Sequence, residues 1–561
     1  MRRAIRLIIY VLLVTGAAIF SFPFLWMAAT SVKVDRELQT EEFRLMPMTP
    51  RPRTVSPYVD TRHYEDLDGP YQEAMIPKLA ALVERTGFAI PPHVNAELAR
   101  EQIARGLYDK LRSRLPKPLW LGLSDANQPI LDEGRIVASL LDAAGPVVNR
   151  QMVAEVFANV YRRLAMGPIR LRSYDRVECE LGEGASLSRR MTNETPAALR
   201  LEDVKEKSEP YALLRYDFSD ADRLVLSRTF EVPGEVSLDR LHRVFVDIRP
   251  DDTWHELWLT MEAGGVRYRA VRPWPVANYD VTAAQWQPPG PDDDSTKIKT
   301  WIRLEEAGRG AGVLADPQRI KLTFEFRRSG RAGAWWRKLA LNYNRVLDHM
   351  PFWRYLRVSL FLVIANIVLT LLFSSLVAYA FARLNWPGRD LCFILMLATM
   401  MIPFQVIMIP QFLIWKNLGA YNTLTPLWLA PVFGNAFFIF LLRQFLRGVP
   451  RDLEDAARLD GCGFLRIYWH IMLPLIKPSL AAIGIFTFMG TWNNFMGPLI
   501  YIADQRLYPL AFGLYAFSVQ VNNNPALTMA GSLLMTVPVI VIFFFAQKYF
   551  IQGVTLTGMK Q

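Results

Sequence analysis

Seven positions near the C-terminal end of the chain have types and spacing suited to mechanical work: Asp455-Ala456-Ala457, three residues, Gly461, nine residues, then Ile471-x-Leu473-Pro474. Glu454 stands beside the first of them. Pro450 with Asp452, Glu454 and Asp455 reads as a helix start, since proline fits the first turn and acids there complement the helix dipole. Small Ala456 and Ala457 would let another protein surface approach the backbone closely. Gly461 allows a turn that a side chain would oppose. A second short helix, Phe464 to Met472, is predicted to end at Leu473-Pro474, and Pro474 and Pro478 introduce the next long helix. The pattern predicts a helix-turn-helix elbow over 450–475, anchored at both ends and able to transmit a push.

Other chemistries find less support. No G-x4-G-K-[ST] phosphate loop occurs, and the glycine-containing stretches Gly182 to Ser186 and Gly330 to Lys338 lack its pattern, so this chain is not expected to hydrolyse ATP or to be an enzyme. The six histidines, at 63, 93, 242, 255, 349 and 470, show no metal-ligand spacing. Asp251-Asp252 and Asp292 to Asp294 lie in turn-like sequence, which argues against a paired-carboxylate glycosidase. Trp254, Trp258, Trp274, Trp286 and Trp301 would fill a core or stack on sugar rings. Asn493 and Asn494, following Trp492 in a strongly apolar stretch, are costly in lipid. They are expected to line an aqueous path or to bond a neighbouring helix.

The elements that must position these residues divide the chain sharply. Apolar stretches run from Leu7 to Val32, Val358 to Ala382, Leu391 to Trp415, Asn417 to Leu442, Pro478 to Ala503 and Leu507 to Gln547. A bilayer core takes roughly 20 residues of helix. Asn522, Asn523, Asn524 and Pro525 confine the last crossing to about 526–546, and six spans result. The first apolar run exceeds the roughly 7–15 residues of a signal-peptide core, which favours a retained span. Net charge is +11, yet Val34 to Met350 holds 46 Lys and Arg against 47 Asp and Glu. The excess therefore flanks the spans. It concentrates on one side, at Arg2, Arg3, Arg383, Arg443, Arg447, Arg451 and Arg458 among others, which places both termini in the cytoplasm and residues 34–350 outside. Such a charge distribution reports topology and is no argument for nucleic acid. Tyr64 to Leu164 has helix periodicity. From about Ile169 to Phe326 the period becomes two, strictly so in Ile320 to Phe326, with a hairpin at Gly264-Gly265, and an antiparallel sandwich is expected. Cys179 is the one cysteine of this segment, so it must be held by its core. The predicted divisions are 1–33 first span, 34–165 helical part, 166–338 sandwich part and 339–561 five-helix block. The fold class is thus an α-helical integral membrane protein with six transmembrane helices and an inserted extracytoplasmic α+β module.

The elbow signature resembles the coupling loop of binding-protein-dependent importer permeases, E-A-A-x3-G-x9-I-x-L-P, with Asp455 in place of the first Glu. Ser21 to Lys33, Asn342 to Asp390, Met401-Ile402-Pro403, Leu441 to Phe445 and Thr491-Trp492-Asn493-Asn494-Phe495 resemble the maltose-type, sugar-importing branch of ATP-binding-cassette permeases. The resemblance covers about the first 50 residues and everything after about 340. It implies a subunit of the bacterial inner membrane that pairs with a second permease, an ATPase dimer and an extracytoplasmic substrate-binding protein. It further implies that Glu454, Asp455, Ala456, Ala457, Gly461, Ile471, Leu473 and Pro474 meet the ATPase. Trp492, Asn493 and Asn494 would lie near the translocation path. This chain would bind no cofactor, ATP-Mg residing on the partner ATPases, and would contact membrane lipid but no nucleic acid. Ordinary members lack the insertion, which is expected to act as a docking cap in contact with the binding protein or the partner permease's outer face. The competing reading is a membrane-anchored carbohydrate-binding or receptor module on a degenerate permease.

Overall fold

The computed structural model describes residues 2–38, 45–65, 67–123, 132–181, 191–206, 209–234, 238–290, 301–310, 312–521 and 524–555. The expected breaks at Asn522-Asn523 and Asp292 to Asp294 lie outside these residues. The chain forms two compact units, Met1–Met48 with Lys338–Gln561 and Thr49–Asp293 with Trp301–Arg337.

Among the described residues of the first unit four helices are long and apolar enough to cross a bilayer: Ile5–Ser31, Phe352–Arg383, Thr425–Gly448 and Pro525–Phe545. Two bent pairs, Arg389–Thr399 with Phe404–Asn417 and Phe464–Leu475 with Lys477–Trp492, raise the number to six if each is one span. Apolar side chains such as Val14, Phe20, Ile364 and Phe545 stand exposed along these helices, a surface suited to lipid or to protein partners. The helix Phe352–Arg383 is central and packs against both Ala436–Gly448 and Lys477–Trp492. Near its Phe352 end it shares a core with Phe488, Trp492 and Phe517. Towards its Arg383 end it shares another with Leu442, Leu446 and the elbow.

Three apolar stretches are less regular than hydropathy suggests. The stretch from Leu391 to Trp415 bends by 101° between its two helices, where Pro403 offers no N–H to continue the first. The stretch expected from Asn417 to Leu442 begins its helix at Thr425, because Gly419 (φ 74°) and Asn422 (φ 58°) form left-handed turns after Asn417. The stretch from Pro478 stops at Trp492 and resumes at Met496.

The helix Arg331–His349 fastens the end of the first helix. Asn342 Nδ2 donates to the carbonyls of Ser31 and Lys33, each at 2.8 Å. The Ser31 and Tyr343 hydroxyls pair at 2.7 Å. Buried Lys338 pairs with Glu37 and donates to the Met48 carbonyl. Residues 48 and 338, where the chain leaves and re-enters this unit, are therefore in contact.

The second unit begins with helices Gln72–Arg85, Ala96–Arg114, Glu133–Ala144 and Arg150–Val160. Asn95 and Asn149 cap two of them by accepting from the N–H of Leu98 and Met152. Leu79, Ile103, Leu107, Leu140 and Val153 close their core. Helix gives way to strand at Tyr161, three residues before the expected Leu164. Leu241–Arg249 lies antiparallel between Leu164–Ser173 and Thr282–Gln287. Glu256–Ala263 lies antiparallel between Val266–Ala270 and Arg319–Arg327. A short parallel pairing of Trp286 with Ile302 joins the two runs. The expected hairpin is present, with Gly264 and Gly265 at φ 56° and 76°. Alternation in Arg319–Arg327 buries Ile320, Leu322, Phe324 and Phe326, which meet Val244, Val246 and Leu257 in one core.

Candidate functional site at the elbow

Asp452–Leu459 forms the first helix of the elbow, with Asp452, Glu454 and Asp455 in its first turn. It closes through Gly461 N–H to the Arg458 carbonyl at 3.0 Å and Cys462 N–H to the Ala457 carbonyl at 2.9 Å. Gly461 has φ 80° and open space around its Cα, so conformation and not crowding demands glycine there. The second helix starts at Phe464 and runs through a widened turn, Tyr468–Met472, to Leu475, three residues past the predicted end. The chain then bends by 78° into Lys477–Trp492.

The eight residues expected to meet an ATPase divide between two faces. Asp455, Ala456, Gly461 and Pro474 are exposed. Glu454 is 4% exposed and Ala457 is also buried, so Ala457 packs inward where the sequence suggested a contact with another protein. Ile471 and Leu473 lie against the same core. Sequence reasoning missed the outward apolar side chains: Leu459 is 89% exposed, and Leu453, Phe464, Leu465 and Trp469 are also exposed. An apolar surface on short helices is suited to burial against a protein partner or a membrane surface.

Sequence reasoning also missed what holds the elbow. Arg383 Nε faces Glu454 Oε1 at 3.2 Å, with both side chains buried, and Arg458 approaches Glu454 at 3.7 Å. The Tyr379 hydroxyl donates to the Phe464 carbonyl at 3.4 Å, and the hydroxyls of Ser375 and Tyr468 pair at 2.7 Å. Ser375, Tyr379 and Arg383 recur every four residues, the spacing of one helix face, and that signal was present in the sequence.

The residues expected near a path have local tasks. Trp492 is buried, donating to the Met535 carbonyl at 3.3 Å and stacked on Phe488. Asn493 follows the helix end, is exposed, and donates to the Met489 carbonyl at 2.9 Å. Asn494 Oδ1 accepts from Gly497 N–H at 3.0 Å at the start of the next helix. The two asparagines thus turn the chain between helices. In the second unit Trp254 and Trp286 are buried. Trp258 and Trp301 carry the guanidinium groups of Arg269 and Arg243 over their rings, and Trp258 and Trp274 pack partly buried against the core between the strand runs. Asp251 is buried too, accepting from the Tyr216 and Thr253 hydroxyls at 2.7 and 2.6 Å. No group of three metal-ligating side chains occurs among the described residues.

Long apolar helices around a two-helix elbow are the architecture of a helical membrane protein. The profile of the family "Binding-protein-dependent transport system inner membrane component" matches residues 370–556. The arabinooligosaccharides transport permease AraQ of Halalkalibacterium halodurans is 40% identical over 209 residues, 37% of this chain and 75% of that protein. The lactose transport permease LacG of Rhizobium radiobacter is 32% identical, over 36% of this chain and 73% of that protein. The diacetylchitobiose uptake permease NgcG of Streptomyces coelicolor is 32% identical, over 37% and 70%. A crystal structure of a bacterial transporter importing the acidic polysaccharide alginate is 28% identical over 37% of this chain and 79% of its own, with a TM-score of 0.34. The chain belongs to the family of binding-protein-dependent transport inner-membrane components, the permeases of ATP-binding-cassette importers. It is a helical, multi-pass inner-membrane protein of a family of transport permeases and not of enzymes.

Proposed function

We propose that this chain is one of two permease subunits of an importer for a sugar or related solute, forming half of the translocation path and meeting a separate ATPase dimer through the elbow. The observation that carries this reading is the two-faced elbow. One face is buried against the spans, and the other presents Asp455, Ala456, Gly461, Leu459, Phe464 and Leu465. Pro474 stands on the outward face as well, while Ala457, Ile471 and Leu473 pack the other face against the spans and Glu454 ties it to Arg383. Relatives that carry arabinooligosaccharides, lactose and diacetylchitobiose support a carbohydrate substrate. Six spans follow if each bent pair crosses once. Basic flanks then place both termini in the cytoplasm and residues 34–350 outside. The single core shared by both strand runs supports a sandwich after the helical part of the insertion. ATP-Mg belongs to the partner ATPases, and an extracytoplasmic binding protein delivers the solute. The insertion acts as its docking cap.

Leu459→Asp tests the dock, because a charge on the most exposed apolar side chain of the elbow opposes burial in an interface. Insertion should be normal, while the ATPase that co-purifies with wild type from host membranes should be lost. Undiminished ATPase recovery with Leu459→Asp would refute the dock.

A further inference from the structure

Arg383 is the last residue of the helix Phe352–Arg383, and its side chain is almost wholly buried. One guanidinium holds three segments there. Its Nη2 donates to the carbonyls of Leu446 and Val449 at the end of the helix Ala436–Gly448. The Leu446 carbonyl also accepts from Val449 N–H at 3.3 Å, and a cation beside the carbonyls at a helix end is stabilised. Its Nε meets Glu454 of the elbow at 3.2 Å. The two atoms lie at ion-pair distance without hydrogen-bond angles. Ser375 and Tyr379, one and two turns earlier on the same face, complete a line of contact with the elbow.

Burying an ion pair costs desolvation of both charges, and well-packed apolar residues often stabilise a fold as well or better. Stability alone is therefore a poor explanation of this pair. We propose that Arg383–Glu454 is the joint that carries movement of the elbow into the helix Phe352–Arg383. Arg383 is a positioning residue, and Glu454, although next to Asp455, does not itself meet the ATPase. This inference rests on the reading of the elbow as the ATPase dock.

The experiment uses the complex that co-purifies with the chain, reconstituted in lipid, with spin labels at exposed Ile364 and Met401. In wild type, MgATP with vanadate should change the distance between the labels. Glu454→Gln and Arg383→Gln should retain the ATPase to within about twofold of wild type yet lose most of the distance change, since the coupling element and not the dock is altered. Arg383→Lys, which keeps the charge and a donor for the Leu446 and Val449 carbonyls, should restore part of the response. A wild-type response in ATPase-bound Glu454→Gln would overturn the joint. Loss of the ATPase from Glu454→Gln as complete as from Leu459→Asp would overturn it as well, making Glu454 a dock residue. Retention of the ATPase by Leu459→Asp refutes the dock itself and is read separately.

Discussion

Gly461 and Asp455 do different work within one short loop. Gly461 sits at φ 80° with nothing near enough to clash with an added Cβ. A side chain there meets conformational strain of about 1–2 kcal/mol, and more when β-branched. Gly461→Val should therefore insert normally but lose uptake and ATPase recovery, whereas Gly461→Asn, which tolerates the left-handed region, should keep a substantial part of both. Wild-type uptake by assembled Gly461→Val would show that the turn is not needed. Asp455 is exposed in the first helical turn. Reversing its charge opposes the dipole by only about 0.3–1 kcal/mol, too little to unfold the elbow. Asp455→Lys should nonetheless lower ATPase recovery, and Asp455→Glu should match or exceed wild type. Equal yields for Lys, Asp and Glu would reduce the acid to a helix-start residue. The spacing of Asp455, Gly461 and Pro474 was readable because it reflects backbone geometry. The inward turn of Glu454 was not, since its partner Arg383 lies 71 positions earlier and only folding brings the two together.

At the scale of elements, legibility followed how local the cause was. Ile320 to Phe326 alternates because one sheet face is buried, and the strand Arg319–Arg327 follows the pattern residue by residue. The bend after Trp492 was hidden, because hydropathy records where a chain is apolar and not where its helix stops, whereas Pro403 carries the signal of a kink in its missing N–H. Asp251-Asp252 also looked like an ordinary turn. Asp252 does take a left-handed φ of 58°, but the pair is buried beside Tyr216 and His255. His255 accepts from Ser329 N–H at 3.1 Å through Nδ1, and its Nε2 lies 2.8 Å from the Arg53 carbonyl, the arrangement of a neutral imidazole donating through Nε2. Burial lowers its pKa from the ordinary 6.5, against the opposing pull of Asp251. The unfolded chain then takes up a proton as pH falls through about 6.5 while the folded one does not, so stability drops with acid, by up to about 1.4 kcal/mol per pH unit for one group. His93, its pKa also lowered by burial and by Arg215, adds to the same slope. Denaturant midpoints of the second unit in the full chain should fall between pH 7.5 and 5.5. His255→Gln, which cannot take a proton, should flatten that fall. An unchanged slope would mean that the imidazole is protonated in the folded unit.

At the scale of the whole molecule, Lys338 Nζ donates to the Met48 carbonyl. It brings the two ends of the insertion together on the membrane unit, and Lys338–Glu37 with Asn342 adds contacts between residues that all lie outside 49–337. An insertion whose ends meet on a self-supporting host is the arrangement that tolerates excision. The second unit in turn owns two large cores, one helical and one between strand runs, and needs no disulfide to close them. Replacing Thr49–Arg337 by a short Gly-Ser linker should therefore leave a chain that inserts and recovers its ATPase to within about twofold of wild type. Residues 49–337 expressed alone should be soluble and unfold cooperatively. If the insertion is the docking cap for the binding protein, the excised permease should lose binding-protein-stimulated ATP hydrolysis and keep its basal rate. Full stimulation after excision would remove the docking role, and failure of the excised chain to insert would show that the membrane unit does not stand on the Lys338, Glu37 and Asn342 contacts alone.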